Sequence, residues 1–250
     1  MCISATASIN AFIVNLISAI CLVRFGNENL KTINYIIAIF SVFTSLMQLV
    51  DLGMWLDLDC KSGLNKFATL IGPVLTYLQP VAMFVIAYII MNYTNNGLEK
   101  QATDIAPLEQ KSRLFDMLSI TSNKFNLGKT MNLVAFIILV VLLIRYYLST
   151  HNTSCTTFKG SHLKWGWLST TNPDATIYII LYGVVGIANF LLIDPSSIFI
   201  KIAIFGYISL YLISRFINKY YTGELWCLLS NMLPLLLLVI QKLFKNQIRS

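Results

Sequence analysis

Charged and catalytic side chains are scarce in this chain. Only 12% of its 250 residues are Asp, Glu, Lys or Arg and 56% are hydrophobic, whereas a soluble domain carries about twice that charged share. There are two histidines, and the sequence holds no H-E-x-x-H pair, Walker motif, Gly-rich phosphate loop or Ser-His-Asp signature. These absences argue against a soluble enzyme and predict an integral membrane protein.

A concentrated basic surface is also missing. The net charge is +7, but the 18 Lys and Arg residues are scattered along loops and helix ends, so we predict no nucleic-acid partner. Met1 to Asn10 lacks a basic start, and no A-x-A-like site closes the first apolar segment, so no cleavable signal peptide is predicted. The expected partner is the lipid bilayer, and the oligomeric state stays open.

Seven apolar segments are present, most of them long enough to cross a bilayer. They predict an all-α, seven-transmembrane-helix bundle that forms one domain over residues 1–250, with helices at about 4–23, 33–56, 67–93, 133–148, 176–193, 198–217 and 225–243. Eleven Lys and Arg residues then fall on one side and seven on the other, which favours the N-terminus out and the C-terminus in.

Two longer polar segments separate these spans. Residues 94–132 are predicted to be an inner loop, a polar connector, and residues 150–174 an outer loop. All four tryptophans fall at the predicted outer boundary, as an outer aromatic belt or as a packed outer lid. Pro73 and Pro80 in the third span are expected to free backbone carbonyls toward the bundle interior.

One acid, Asp51, lies within the second span. At helical spacing it shares a stripe with Gln48 and Trp55. A carboxylate in this position is costly unless it faces protein or water. It is either a contact for a proton, cation or substrate at the floor of an outward-facing vestibule, or an acid near a helix end that reaches water. Arg215 and Lys219 are possible countercharges.

Polar side chains on other spans are predicted to line the same vestibule. The candidate binding residues are Asp51, Gln48, Asn15, Thr76, Gln79, Tyr182, Tyr207, Tyr211, Asn231, His162 and Trp226. The stripe of small and polar residues on the first helix allows close packing or faces a wet interior, and helix packing alone is the preferred explanation for its serines but not for Asn15. The fourth span has no polar face and is placed at the lipid-exposed periphery.

Four of the five cysteines map to the predicted outer side. An oxidising outer face would pair Cys2 with Cys227 and Cys60 with Cys155, and a reducing one would leave all four as thiols. No cofactor is predicted. Zinc is the alternative, with Cys2, His162, Cys227 and Asp51 as ligands. All four are allowed ligand types, but they lack the short spacing of a metal motif.

The first eight residues, Met1-Cys2-Ile3-Ser4-Ala5-Thr6-Ala7-Ser8, resemble a family of uncharacterised bacterial and large-DNA-virus membrane proteins that begin MCFSATAS. Three further stretches are similar: residues 48–51 with Trp55, residues 160–163 around His162, and residues 225–227. Ile3 stands where the family has phenylalanine and Asp51 where it usually has glutamate. The resemblance implies a seven-helix fold and a shared importance of Cys2, Asp51, His162, Trp226 and Cys227. It brings no activity.

Three functions are compatible with these features. The first is a channel, transporter or small-ligand binder with an outward-facing polar vestibule, in a plasma membrane or a viral or host membrane. The second is an intramembrane metal-dependent lipid hydrolase. The third is a structural viral or cellular membrane protein. No catalytic residue is predicted, and the chain is expected not to be an enzyme.

Overall fold

The computed structural model describes residues 4–105, 108–149, 155–156, 158–159, 162–163, 165, 167, 173–193, 198–217 and 231–244. Side chains are described for these residues except 93–125, 158–159, 162, 198–199, 203, 207, 210–211, 214–215 and 217. The helices in these ranges are α1 Ala5–Phe25, α2 Lys31–Leu56, α3 Leu64–Ile105, α4 Leu108–Ser149, α5 Pro173–Ile193, α6 Ile198–Ile217 and α7 Leu233–Leu243. Strands β1 (Phe158–Lys159) and β2 (His162–Leu163) form a short antiparallel hairpin.

The chain is a multi-pass helical membrane protein. Within the described residues, five helical segments are long and apolar enough to span a membrane, namely Ala5–Phe25, Glu28–Leu56, Leu64–Asn92, Asn126–Ser149 and Pro173–Ile193. Large apolar side chains cover the outside of the bundle: Ile17 is 56% exposed and Leu148 is 70% exposed. An apolar exterior of this kind is favourable against lipid, where each helix satisfies its own backbone hydrogen bonds.

The helices form a ring in which neighbours in sequence are neighbours in space. α2 packs along α1 on one side and along α3 on the other, and α3 also contacts α4 and α5. From α5 the contacts continue to α6, then to α7, and α7 returns to α1. α4 presents one buried face that includes Leu139 and Leu142, while Leu133, Val134 and Ile137 are exposed. This agrees with its predicted place at the periphery.

The prediction of a loop over 94–132 needs correction. α3 continues to Ile105 and α4 begins at Leu108, so helix covers all of this interval that is described. Both segments are polar, but they are rich in Leu, Glu, Gln and Lys, which are good helix formers, and Pro107 is the one proline in the interval. An apolar window detects the part of a helix that lies in lipid, so the polar ends were missed.

The two ends of the bundle are held by different contacts. At one end a disulfide joins Cys60, in the α2–α3 turn, to Cys155, and we call this the disulfide end. At the other end Gln241 of α7 accepts from the backbone N–H of Asn27 at 2.8 Å and donates to Asn34 of α2 at 2.8 Å. We call this the turn end, because α1 turns into α2 there. Among the predicted pairs, Cys60–Cys155 is confirmed.

Candidate functional site

Asp51 is buried near the disulfide end of α2. Its carboxylate is 1% exposed, and its Oδ1 accepts a hydrogen bond from the indole N–H of Trp165 at 2.8 Å. The alternative of an acid that reaches water is therefore wrong for this structure. The expected open vestibule above Asp51 also needs correction, because a tryptophan covers the carboxylate. Burial of a large aromatic ring is favourable, and its N–H supplies a polar contact to the acid.

The cover consists of Leu163, Trp165 and Trp167, which we call the tryptophan lid. These three side chains are 0%, 2% and 0% exposed, and the two indole rings stack with their centroids 5.3 Å apart. Both rings thus lie inside the bundle and not in a belt at the membrane surface. Of the two predicted arrangements, the packed lid is the one confirmed for Trp165 and Trp167.

The α2–α3 turn and the start of α3 hold the chain that leads into the lid. The Asn65 side chain pairs with the backbone of Thr156, donating to its carbonyl at 3.2 Å and accepting from its N–H at 2.9 Å. The hydroxyls of Thr69 and Thr156 lie 2.8 Å apart. Together with the Cys60–Cys155 disulfide, these contacts fix the position of residues 155–156 on α3.

The same turn is organised by the carboxylate of Asp57. It accepts from the backbone N–H groups of Lys61 at 2.8 Å, Ser62 at 3.0 Å and Asn65 at 3.1 Å. These hydrogen bonds, that from Ser62 first, favour the charged form and lower the pKa of Asp57 to about 2. The ionised carboxylate therefore holds the turn that carries Cys60.

A row of polar contacts runs from the lid into the bundle along α3. The Trp167 N–H donates to the Thr76 hydroxyl at 3.3 Å, and the Tyr178 hydroxyl of α5 donates to the Thr76 carbonyl at 3.0 Å. Pro80 has no N–H for this carbonyl, which lies four residues earlier in the helix. The prediction that this proline frees a carbonyl toward the interior is confirmed, and Tyr178 uses it.

The row continues toward the turn end. The Tyr182 hydroxyl donates to Oε1 of Gln79 at 3.1 Å, while Nε2 of Gln79, which is 1% exposed, has no hydrogen-bond partner in the described structure. Beyond it, the amides of Asn132 and Asn189 donate to each other at 2.8 and 3.0 Å. The interior between α3, α4 and α5 is therefore polar over several helical turns.

Not every predicted site residue joins this row. Gln48 is buried one turn from Asp51 on α2, whereas Asn15 donates to the Ser41 carbonyl at 2.6 Å between α1 and α2. Asn231 is buried just before α7. The hydroxyls of Ser8 and Ser18 on α1 each donate to the carbonyl four residues earlier, and α1 packs along α2 and α7.

Several predicted residues lie outside the described residues or side chains: Cys2, His162, Tyr207, Tyr211, Arg215, Lys219, Trp226 and Cys227. The Cys2–Cys227 pair and the four-ligand zinc alternative therefore stay predictions. Among the described residues, no three His, Cys, Asp or Glu side chains are grouped as a metal site would require.

Sequence reasoning missed four residues that build the site: Asn65, Thr156, Tyr178 as a partner of Thr76, and Asn132. Asn65 and Thr156 are far apart in the chain, and no local pattern links them. Pro80 was the available signal for Tyr178, because a proline in a membrane helix requires a donor from elsewhere. Asn132 fell at the end of the segment that was predicted to be a loop.

Comparison of the chain with protein-family models, with curated protein sequences and with solved structures gave no match. The resemblance to the family that begins MCFSATAS therefore stays a prediction.

Proposed function

We propose that this membrane protein is a channel, transporter or small-ligand binder whose binding site is the polar interior around Asp51. In this proposal the tryptophan lid closes the route from the disulfide end to the carboxylate. The structure then corresponds to an occluded state, and ligand entry requires Trp165 to move away from Asp51.

The observation that carries the proposal is the buried polar row. A bundle that only had to pack in lipid would be expected to fill its centre with apolar side chains, since buried polar groups are costly there. Here Asp51, Thr76 and Gln79 are 1%, 3% and 1% exposed. The Nε2 of Gln79 retains an unused donor in the described interior, as is common where a ligand or water completes the contacts.

We infer a seven-span topology with the N-terminus out. α6 and the region of α7 would supply the two spans beyond the five apolar helices. The Cys60–Cys155 disulfide supports an oxidising compartment at the disulfide end, which is the end where α1 begins. A plasma membrane or a viral or host membrane has such a side.

Asp51→Asn tests the proposal, because asparagine keeps an oxygen for the Trp165 N–H and removes the titratable carboxyl group. Purified protein is reconstituted into liposomes loaded with dyes for protons, sodium and potassium. Trp165→Ala should raise flux several-fold by opening the lid. In the Trp165→Ala protein, adding Asp51→Asn should lower this flux about tenfold or more and leave the thermal unfolding of that protein unchanged. Asp59→Asn, an exposed acid in the α2–α3 turn, is the matched control.

Three outcomes would contradict the proposal. If neither wild type nor Trp165→Ala shows flux for any of these ions, a structural role in the membrane is favoured. If the Asp51→Asn protein partly unfolds but its folded fraction conducts normally, Asp51 is a packing residue. Stoichiometric zinc in the purified protein would instead favour the lipid hydrolase.

A further inference from the structure

A groove between α1 and α2 at the turn end lies away from the lid and the polar row. This open groove has a volume of about 1180 Å³, and a second cavity of about 340 Å³ adjoins it and shares Phe25, Gly26 and Lys242 in its lining. The groove opens on the outside of the bundle, where exposed Ile20 and Ile39 line it. Its surroundings would therefore be lipid and not the bundle interior.

The mouth of the groove is positively charged. Arg24, Lys31 and Lys242 line it, with Glu28 as the one carboxylate of the described lining. All four side chains are exposed. The cations come from three different helix ends, the last turn of α1, the first residue of α2 and the last turn of α7. They therefore surround a common space and do not lie along one helix face.

The rest of the groove is apolar and runs toward the bilayer centre. Val23 and Ile20 line it on α1, and Ile39 and Val42 line it on α2. From Lys31 to Val42 a helix rises about 16 Å. Half of a bilayer's hydrocarbon core is about 15 Å thick. The groove thus has the length of one lipid leaflet, with charge at the headgroup level and apolar walls below it.

We propose that this groove is a binding site for an anionic phospholipid of the leaflet at the turn end. The phosphate lies among Arg24, Lys31 and Lys242, and one acyl chain lies along Ile39 and Val42. Basic pockets between membrane helices favour anionic headgroups, and each Lys or Arg near the membrane surface contributes to that attraction. The site has no role in the flux proposed for Asp51 and is independent of it.

The contacts at the turn end hold the groove in shape without a ligand. A Cβ added at Gly26 would lie 2.3 Å from the Leu22 carbonyl oxygen and 2.4 Å from Nδ2 of Asn34. Asn34 is itself bonded to Gln241. The turn from α1 to α2 is therefore closely packed on α7, and the three cations are carried by a fixed framework.

The experiment is a lipid titration of the purified protein in a non-ionic detergent, with bound lipid counted by native mass spectrometry. Phosphatidylglycerol is compared with phosphatidylcholine, and wild type should bind one phosphatidylglycerol at least tenfold more tightly. Replacing Arg24, Lys31 and Lys242 by Gln should weaken this about fivefold per cation. The matched control carries Gln at Lys66, Lys129 and Lys201, three exposed lysines outside the groove.

A second variant, Val42→Trp, fills the apolar part and keeps every charge, so it should also weaken binding. This variant tests the site even if the triple Gln variant fails to fold. Free glycerol phosphate, which has the headgroup charge without acyl chains, should not compete. Equal binding of both lipids, an equal loss in the control triple, no effect of Val42→Trp, or competition by glycerol phosphate would each overturn the proposal.

Discussion

Trp167 fits against α3 because residue 72 has no side chain. A Cβ at Gly72 would lie 2.7 Å from Cη2 of Trp167 and 3.2 Å from Cγ1 of Val50. Trp167 is fully buried, so an added methyl group at residue 72 would require the indole ring or the helix backbone to shift. The position of the lid above Asp51 therefore depends on a glycine that lies on the same face of α3 as Thr69 and Thr76.

Gly72→Ala should displace Trp167 and destabilise the protein by about 1–3 kcal/mol, as overpacking of a filled core does. Thermal unfolding in detergent and tryptophan fluorescence measure the two effects. Gly183→Ala on α5 is the matched control, because an added Cβ there meets nothing within 4 Å. Equal unfolding curves for the two variants would show that the lid adjusts around the extra methyl group.

The hydrogen-bonded side chains of Asn132 on α4 and Asn189 on α5 were predictable only in part. Asn189 lies two helical turns after Tyr182, a predicted site residue of α5, and therefore on the same face of that helix. Its partner Asn132 precedes the apolar run of α4, so nothing local marked it as buried. The two side chains donate to each other. This pairing requires α4 and α5 to lie side by side, which neither segment indicates by itself.

At the scale of elements, the α2–α3 turn links the lid to α3. It holds Cys60 and the Asp57 carboxylate and is followed by Asn65 at the start of α3, and each makes a contact that the lid or the turn requires. Cys60 has φ of 59° and Gly63 has φ of 81°, so the chain twice enters the left-handed region within this turn. The three backbone hydrogen bonds that Asp57 accepts offset the cost of the left-handed conformation at Cys60.

The lowered pKa of Asp57 predicts a pH dependence. Its folded value of about 2 is below the ordinary value of 3.8, so the folded state holds fewer protons between these values. The stabilisation is complete above about pH 4 and is lost as the pH falls toward 2. Circular dichroism of thermal unfolding between pH 2 and pH 6 should show this loss in wild type.

Asp57→Asn should lower stability above pH 4 and flatten this part of the profile, since the amide does not titrate. Asp59→Asn should leave the profile as in wild type, because Asp59 is exposed and pairs only with Lys61 among the described contacts. If the stability profile of Asp57→Asn keeps the slope of wild type, the pH dependence belongs to another group.

At the scale of the molecule, the predictable parts were those that lipid dictates. A helix that crosses a bilayer needs about 20 apolar residues, so the five apolar helices could be located from composition alone. The lid could not be placed in this way. Trp165 and Trp167 lie in a mixed polar segment without periodicity, and their burial depends on the space left between α2 and α3. The extent of α3 and α4 beyond lipid was missed for the related reason that polar helices carry no apolar signal.

The Cys60–Cys155 disulfide is the longest-range covalent constraint in the described structure, with a sequence separation of 95 residues. It connects the α2–α3 turn to the segment before the lid, across the whole of α3 and α4. Closing a loop of this length reduces the freedom of the unfolded chain, for which native disulfides contribute about 2–5 kcal/mol. The same bond brings Thr156 to Asn65, so the position of Trp165 should depend on it.

Replacing Cys60 and Cys155 together by serine should therefore lower the thermal midpoint and make Trp165 accessible to acrylamide, a fluorescence quencher. In a Cys2→Ser background, which removes the predicted Cys2–Cys227 pair, a reductant should bring the protein with the Cys60–Cys155 disulfide to the midpoint of the double variant and leave the double variant unchanged. Cys21→Ser is the matched control, since Cys21 is not disulfide-bonded, and it should behave as wild type. A wild-type midpoint that does not respond to reductant, with the bond shown to be reduced, would mean that Asn65 and Thr156 hold the lid without the disulfide.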